Sequence, residues 1–340
     1  MKTWERIERI LGRFNRGEFS RRDALRAMGA VGLVAGAHKL LDFQALADEA
    51  GKQTGPGGMP LARPDKPVTL PLHGEMIKSG LKPETGTFQI FNYQDYVDQK
   101  SVIDTFAKKY NVKVQLTTFD SMDQAITRLA SGAVHVDATN ITPDRIAQAV
   151  AGKLLRPLNH DYIPNLKNAF KASADPFYDK GSQYTVPYNL YSTGIGWRND
   201  KIKEDISKRE NPWSIFWDPK TKDYTGYTGI LDDDRESLGM AMMYKGQYDI
   251  NTEDPAQIAT ALADLKATIP ISNPKINITE YKDLAEGTTW MHQSWSGDLL
   301  GAAIFYMPQC TKRYVLSYWW PGKSKGSQQN YGWALQTNSK

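Results

Sequence analysis

Cysteine is nearly absent from this chain of 340 residues: Cys310 stands alone, so no disulfide can form within it. Histidine is scarce as well. The five (His38, His73, His135, His160, His292) are scattered without metal-ligand spacing, and each reads as a surface or ordinary structural residue. A G-x-S-x-G elbow, a P-loop G-K-[ST], an H-E-x-x-H helix and paired cysteines are all missing, and with them the main signatures of hydrolases, nucleotidases and zinc sites. The apolar run at 27–37, A-M-G-A-V-G-L-V-A-G-A, is too short and too weakly apolar to span a bilayer stably. Beyond residue 47, an excess of charge is lacking too. The first 47 residues carry nine of the 42 basic and five of the 38 acidic side chains, which leaves 33 of each sign for the rest. No basic surplus remains to indicate nucleic acid or an anionic membrane. Nothing in these patterns calls for a cofactor.

What is present is ordinary globular composition with many rings. Hydrophobic residues make up 40% and charged residues 24%, while 9 Trp and 17 Tyr allow ring-lined surfaces beyond a core. The length suffices for two lobes, each with its own core. Residues 1–47 read as an export signal: a basic start, the weak apolar run, then Ala45-Leu46-Ala47 as an A-x-A cleavage pattern. F-S-R-R-D-A-L at 19–25 resembles the twin-arginine signal, departing from it at Ala24. The alternative is an amphipathic helix that stays attached. Export implies a periplasmic protein cleaved near Ala47, with the twin-arginine machinery as a partner. Residues 48–86, rich in Gly, Pro and Lys, read as an extended tether.

Regular patterning begins at 87. Strands at 87–93, 112–119 and 134–140 alternate with helices at 98–110, 121–131 and 143–150, the first with Val102, Ile103, Phe106 and Tyr110 at helical spacing. Such alternation makes a parallel sheet covered by helices, whose ligands sit at the carboxyl ends of the strands. Those ends are 92–96, 119–121 and 140–142. The stretch 185–197, T-V-P-Y-N-L-Y-S-T-G-I-G-W, divides the chain. It reads either as the crossover into a second lobe, with a ligand cleft beside it, or as an ordinary buried strand. Beyond it the α/β pattern returns: a short helix from 212, a strand ending at 231, helices at 232–245 and 255–267, a buried stretch at 289–295, a helix at 296–305 and an aromatic strand at 314–320.

Several pieces taken in order resemble the spermidine/putrescine-binding group of bacterial extracellular solute-binding proteins of ABC transporters. They are F-N-Y-Q-D-Y-V (91–97), L-L-R-P-L-N-H-D-Y-I-P-N-L-K-N (154–168), Y-T-V-P-Y (184–188) with T-G-I-G (193–196), L-D-D-D-R-E (231–236) and S-W-S-G-D (294–298). P-L-A-R-P-D-K-P-V-T at 60–69 adds to them. The resemblance implies an α/β, two-lobed periplasmic binding protein of type II-like fold, with a cleft between the lobes. Lobe 1 would occupy 87–188 and lobe 2 189–325, with 326–340 starting the return crossover to lobe 1. It further implies capture of a small cation, most simply a polyamine, by lobe closure without catalysis, and delivery to a membrane permease.

A polyamine site needs carboxylates for the ammonium groups and aromatic faces for the methylenes. By resemblance Asp233 and Glu236 are ligand carboxylates, although D-x-x-E is equally a capping box. Tyr93 and Tyr96 match aromatic cleft positions, with core packing as the alternative. Trp295 matches a ligand platform, or is a buried tryptophan ahead of a helix. Thr142 matches a cleft hydroxyl, or is a helix N-cap. Tyr331 matches the aromatic of the return strand. The chain departs from the group at Asp144, where an aromatic is usual, at Leu190-Tyr191, where Trp-Gly is common, and at Gln329-Asn330-Tyr331, which lacks the usual acid. Family members also continue past the return strand, so the last part of lobe 1 is expected to be missing. Two other functions stay open: a binding protein for a different small organic solute, and an exported hydrolase using a carboxylate pair such as Asp233 and Glu236. A chain too shortened to bind anything is a further alternative.

Overall fold

A computed structural model describes residues 62–93, 96–119, 121–307, 313–322, 325–337 and 339. Residues 1–47, read above as an export signal, the start of the tether and Cys310 lie outside the described residues. The strands, in chain order, are β1 (Gly86–Tyr93), β2 (Val112–Phe119), β3 (Ala138–Ile141), β4 (Leu155–Arg156), β5 (Val186–Arg198), β6 (Thr228–Leu231), β7 (Lys275–Asn277), β8 (Met291–Trp295), β9 (Leu316–Trp319) and β10 (Gln328–Gln336). The main helices are α1 (Thr105–Tyr110), α2 (Met122–Ala130), α3 (Pro143–Ala151), α4 (Asp234–Tyr244), α5 (Pro255–Lys266), α6 (Glu280–Glu286) and α7 (Ser296–Gly301). The chain divides into two units. Unit 1 holds residues up to Asn189 together with Asn330–Lys340, and unit 2 holds Leu190–Gln329.

In unit 1 the sheet runs β2-β1-β3-β10, with β4 beside β10. β1 is parallel to β2 over its whole length, from Gly86 opposite Val112 to Tyr93 opposite Phe119, and parallel to β3, whereas β10 runs antiparallel to β3 and β4. Helix α2 follows from its sequence. Ser121 caps it by accepting from the Gln124 amide at 3.3 Å, and Met122, Ala125, Ile126 and Leu129 recur on one face and are buried. Pro143 opens α3, whose Ile146, Ala149 and Val150 join Phe91, Phe119, Ile141 and Leu155 in the core. A loop organised by Asp179 launches β5. Its buried carboxylate accepts from the amides of Gln183, Tyr184 and Thr185 at 3.0–3.1 Å and from the Thr185 hydroxyl at 2.8 Å.

Three local expectations change. The stretch read as a tether is extended, but from 62 to 81 it lies along unit 1. Val68 and Leu70 alternate into the core, as an extended backbone requires. The segment is no sheet strand: Val68 donates to the Phe177 carbonyl at 2.7 Å and accepts from the Lys180 amide at 3.0 Å, and further along side chains hold its backbone. Tyr184 donates to the Pro71 carbonyl and accepts from the His73 amide, both at 2.7 Å, Arg156 donates to Glu75 at 2.9 Å, and Asn159 donates to Ile77 at 2.9 Å. The helix at 98–110 begins as a π-helical turn, Gln99–Asp104, before α1. That wider winding shifts the phase of the apolar positions, so Ile103 is buried while Val102, Phe106 and Tyr110 are exposed. The third strand starts at Ala138, not 134, where Asp137 ties into β1 by accepting from the Gln89 amide at 2.8 Å.

In unit 2, β5 lies between β9 and β8 and is antiparallel to both. β6 is parallel to β8 on one side and to β7 on the other. The core gathers Ile195, Trp197, Trp213, Phe216, Ile230, Met240 and Met291. Two glycines are needed for close approach. A Cβ at Gly194 would lie 2.2 Å from the Trp319 carbonyl, and one at Gly229 1.9 Å from the His292 ring. His292 is fully buried and its pKa falls to about 4, chiefly through desolvation, so it is a neutral core residue. Arg198 bridges Asp200 and the carbonyls of Leu284 and Ala285, closing the C-terminal turn of α6. The helix expected at 296–305 is α7 followed by a π-helical turn, Ala302–Tyr306.

Candidate functional site

The carboxyl ends of the parallel strands carry different chemistry in the two units. In unit 1 they are aromatic and neutral-polar. Tyr93 ends β1 and packs its ring on Phe119, which ends β2, at 4.4 Å between centroids. Tyr93, Tyr96 and Tyr331 form a triangle with separations of 5.2, 5.6 and 5.2 Å, all tilted or edge-on. Tyr188 extends the group toward Trp333 at 5.5 Å and donates its hydroxyl to the Tyr96 carbonyl. Tyr331 is buried in this set, whereas Tyr93 and Tyr96 keep part of their surface exposed. The structure thus brings three of the sequence-selected residues together, and it also gives Tyr93 a share in the core.

Thr142 occupies the N-cap position of α3, yet its side chain makes no capping hydrogen bond. Its Oγ1 is buried without a partner among the described residues, as are Nδ2 of Asn92 and both amide atoms of Asn140. An unsatisfied buried polar group costs roughly 1–3 kcal/mol. Three such side chains at the ends of two adjacent strands form a patch suited to a polar ligand.

In unit 2 the strand ends are acidic. After β6, Asp233 caps α4, its Oδ1 accepting from the Glu236 amide at 3.0 Å. The Glu236 carboxylate accepts from Ser327 Oγ at 2.6 Å and Gln329 Nε2 at 2.5 Å, and burial pushes its pKa up. After β7, Glu280 opens α6 and is wholly buried. Trp295 ends β8, and Asp298 follows in the first turn of α7. The Trp295 amide donates to Glu280 Oε1 at 3.4 Å, and its indole Nε1 is buried without a partner among the described residues. The carboxyls of Glu280 and Asp298 are in hydrogen-bonding contact; burial first, and Asp298 next, raise Glu280 well above the carboxylate range. Burial likewise lifts Asp298 to about 6. Tyr318 lies within electrostatic reach of Glu236, Glu280 and Asp298. Its phenol is pushed far up, by burial first and by the three acids after it, and it donates to the Ser192 carbonyl at 3.0 Å.

Asp298 lies inside the S-W-S-G-D stretch, whose aromatic signal points to Trp295 and not to the acid. Glu280 gave no signal, because an acid at the start of a short helix is what capping preferences alone would place there. Ser327 and Gln329 are uncharged and distant in sequence from Glu236. Among the described residues no group of His, Cys, Asp and Glu could hold a metal ion.

A family model for bacterial extracellular solute-binding proteins matches residues 101–340. The chain belongs to that family. Among relatives of this solute-binding protein, the putrescine/cadaverine-binding protein of Pseudomonas aeruginosa is 24% identical over 63% of this chain and 60% of its own length. The putrescine-binding periplasmic protein PotF of Escherichia coli is 24% identical over 66% and 62%. The chain thus spans about three-fifths of the curated relatives it matches. Among solved structures, the TpPotD lipoprotein of Treponema pallidum superposes with a TM-score of 0.64 at 21% identity, over 75% of this chain and 76% of that one. The spermidine/putrescine substrate-binding protein PotD of Streptococcus pneumoniae gives 0.61 at 20%, over 75% and 74%. These likenesses fix the fold as α/β of the two-lobed binding-protein type. The relatives are solute-binding transport proteins and not enzymes, which leaves the hydrolase alternative without support.

Proposed function

We propose that this solute-binding protein captures a small organic cation, most simply a polyamine such as putrescine or spermidine, and presents it to the permease of an ABC importer. The observation that carries this reading is the acidic end of the unit 2 sheet, where Asp233, Glu236, Glu280 and Asp298 follow three neighbouring strands. Buried carboxylates are retained when a cation or a proton compensates them. Trp295 beside them offers an indole face to methylenes and ammonium groups. From unit 1, Tyr93, Tyr96 and Tyr331 supply further rings and Thr142 a hydroxyl. Capture leaves the covalent bonds of the solute unchanged, and closure of two lobes about the crossover at 189–190 would retain it. Export by the twin-arginine route to the periplasm, with the signal removed near Ala47, belongs to the same proposal.

The test is a thermal melt of the chain with millimolar putrescine or spermidine, with 1,4-butanediol as an uncharged control. A ligand at 100 times its Kd stabilises the folded state by about 2.7 kcal/mol, a shift readily seen. A rise with the diamines and none with the diol supports the reading; equal responses, or none, refute it. A second reading is favoured by one observation. Asn92 and Asn140 place buried amide atoms, without partners among the described residues, at the strand ends of unit 1. A solute with one cationic end and one polar, neutral end would use them, and an amino-alcohol probe separates the two readings.

A further inference from the structure

We propose that Glu280 and Asp298 hold one proton between them and release it when an ammonium group binds, so that cation capture in unit 2 is coupled to proton loss. The inference rests on the cation reading given above and adds a residue, Glu280, that no motif marks.

The geometry supplies the argument. Glu280, the first residue of α6, is 0% exposed, whereas Asp298 retains some exposure, so an incoming ligand meets Asp298 with Glu280 behind it. One oxygen of Glu280 receives the Trp295 amide, the other, Oε2, has no donor among the described residues, and the side chain interacts with the Asp298 carboxyl. Two carboxylates in contact, out of water, cannot both be ionised. Among the described residues, the groups around the pair do not supply the missing positive charge. From α4 comes another acid, Glu236, with Arg235 acting on it; from β9 comes the phenol of Tyr318; from β8 comes the indole of Trp295. On α6 itself, Lys282 lies over the rings of Tyr281 and Tyr306, and Asp283 accepts from Asn277. Arg198 is engaged at the far end of α6 by Asp200 and two carbonyls. A proton shared by the pair is therefore the counter-charge of the unliganded state. The upward displacement of both acids by burial agrees with this.

An ammonium group brings both a positive charge and N–H donors. When it reaches the pair, the O–H bond breaks, the proton passes to water, and both carboxylates accept from the cation. One cation enters and one proton leaves, so the net charge of the site is unchanged. Affinity then rises with pH, by up to tenfold per unit in the range where the proton is still bound, because a single proton is displaced.

The experiment is calorimetric titration of the chain with putrescine near pH 7, in phosphate and in Tris, whose ionisation enthalpies differ. The expected result is release of close to one proton per ligand, falling toward zero in Glu280→Gln, whose affinity becomes nearly independent of pH. Asp298→Asn, tested beside it, should likewise abolish the release, and a melt of each variant reports its folding. Binding by the unaltered chain without proton exchange overturns the coupling and leaves the cation reading standing. No binding of putrescine or spermidine between about pH 5 and pH 9 overturns the cation reading, and the coupling with it.

Discussion

Replacing Asp233 in two ways separates its two possible jobs. The carboxylate caps α4, accepting from the Glu236 amide at 3.0 Å, and it is one of the acids proposed to hold the cation. Asparagine caps about as well as aspartate, so Asp233→Asn loses only the charge–dipole part, a few tenths of a kcal/mol. Alanine removes the cap itself, about 1 kcal/mol. Unit 2 has about 140 residues, for which that loss lowers Tm by about 3 °C. For the ligand, an ammonium about 5 Å from the carboxylate at an effective dielectric near 20 gains about 3 kcal/mol. Even if an amide dipole restores half of that, affinity falls about tenfold. Both variants should thus weaken putrescine by about tenfold or more in calorimetry, while the alanine variant alone melts lower. Unchanged affinity in Asp233→Asn would reduce the residue to a cap. An unchanged melt in Asp233→Ala would show that the cap is not a stabilising contact.

Gly229→Ala sets a new Cβ against the buried His292 ring, and overpacking of this kind costs about 1–3 kcal/mol, read as a lower Tm. Adding His292→Ala should recover part of the loss; if the double variant melts lower than the sum of both singles, the clash is misassigned. The pH profile of unliganded stability gives another check. Glu280 and Asp298 have raised pKa values in the folded state, so their contribution is fully present below the unfolded carboxylate range and is lost as pH rises, for Asp298 through about 6. His292 acts oppositely, its contribution being present above 6.5 and lost as pH falls toward 4. The difference between the unaltered chain and Glu280→Gln therefore isolates the pair, and the variant should gain Tm relative to the parent as pH rises from about 4 to 7. Tyr184→Phe removes the hydroxyl that bridges Pro71 and His73 and should cost about 1–2 kcal/mol. Amide exchange at 70–81 should accelerate, and unaltered protection there would mean that Val68 and Leu70 hold the segment unaided.

The fold was legible where local chemistry agrees with tertiary need. Helices α2, α4 and α5 start at Ser121, Asp233 and Asp254, each a side-chain acceptor ahead of an apolar period. The parallel strands declared themselves by alternation with helices. The failures have physical causes. Periodicity assumes 3.6 residues per turn, so the π-helical turn ahead of α1 put three apolar side chains on the wrong face. Composition made 62–81 a tether, because the Tyr, Arg and Asn side chains that hold it lie about 80 to 110 residues further on. At the site, aromatic and capping positions carried local signals. Glu280 did not, since its significance is its contact with Asp298, a pairing that the fold creates and no short motif encodes.

The sheet of unit 1 has a consequence for how the chain reaches its fold. Strand β10 pairs with β3, placing Leu335 opposite Ala138 across nearly 200 residues of sequence. Closing so long a flexible loop costs about 5 kcal/mol in chain entropy. Unit 2, by contrast, is continuous, and within it the Thr193 amide donates to the Ser327 carbonyl at 3.1 Å, so its entrance and exit are fastened together. Once unit 2 has folded, the long excursion is already tied off at its base, and β10 is delivered as though it followed β5 by a short connection. Unit 2 thus acts as an internal clasp for unit 1. Variants that loosen it should slow completion of a sheet in which they take no part.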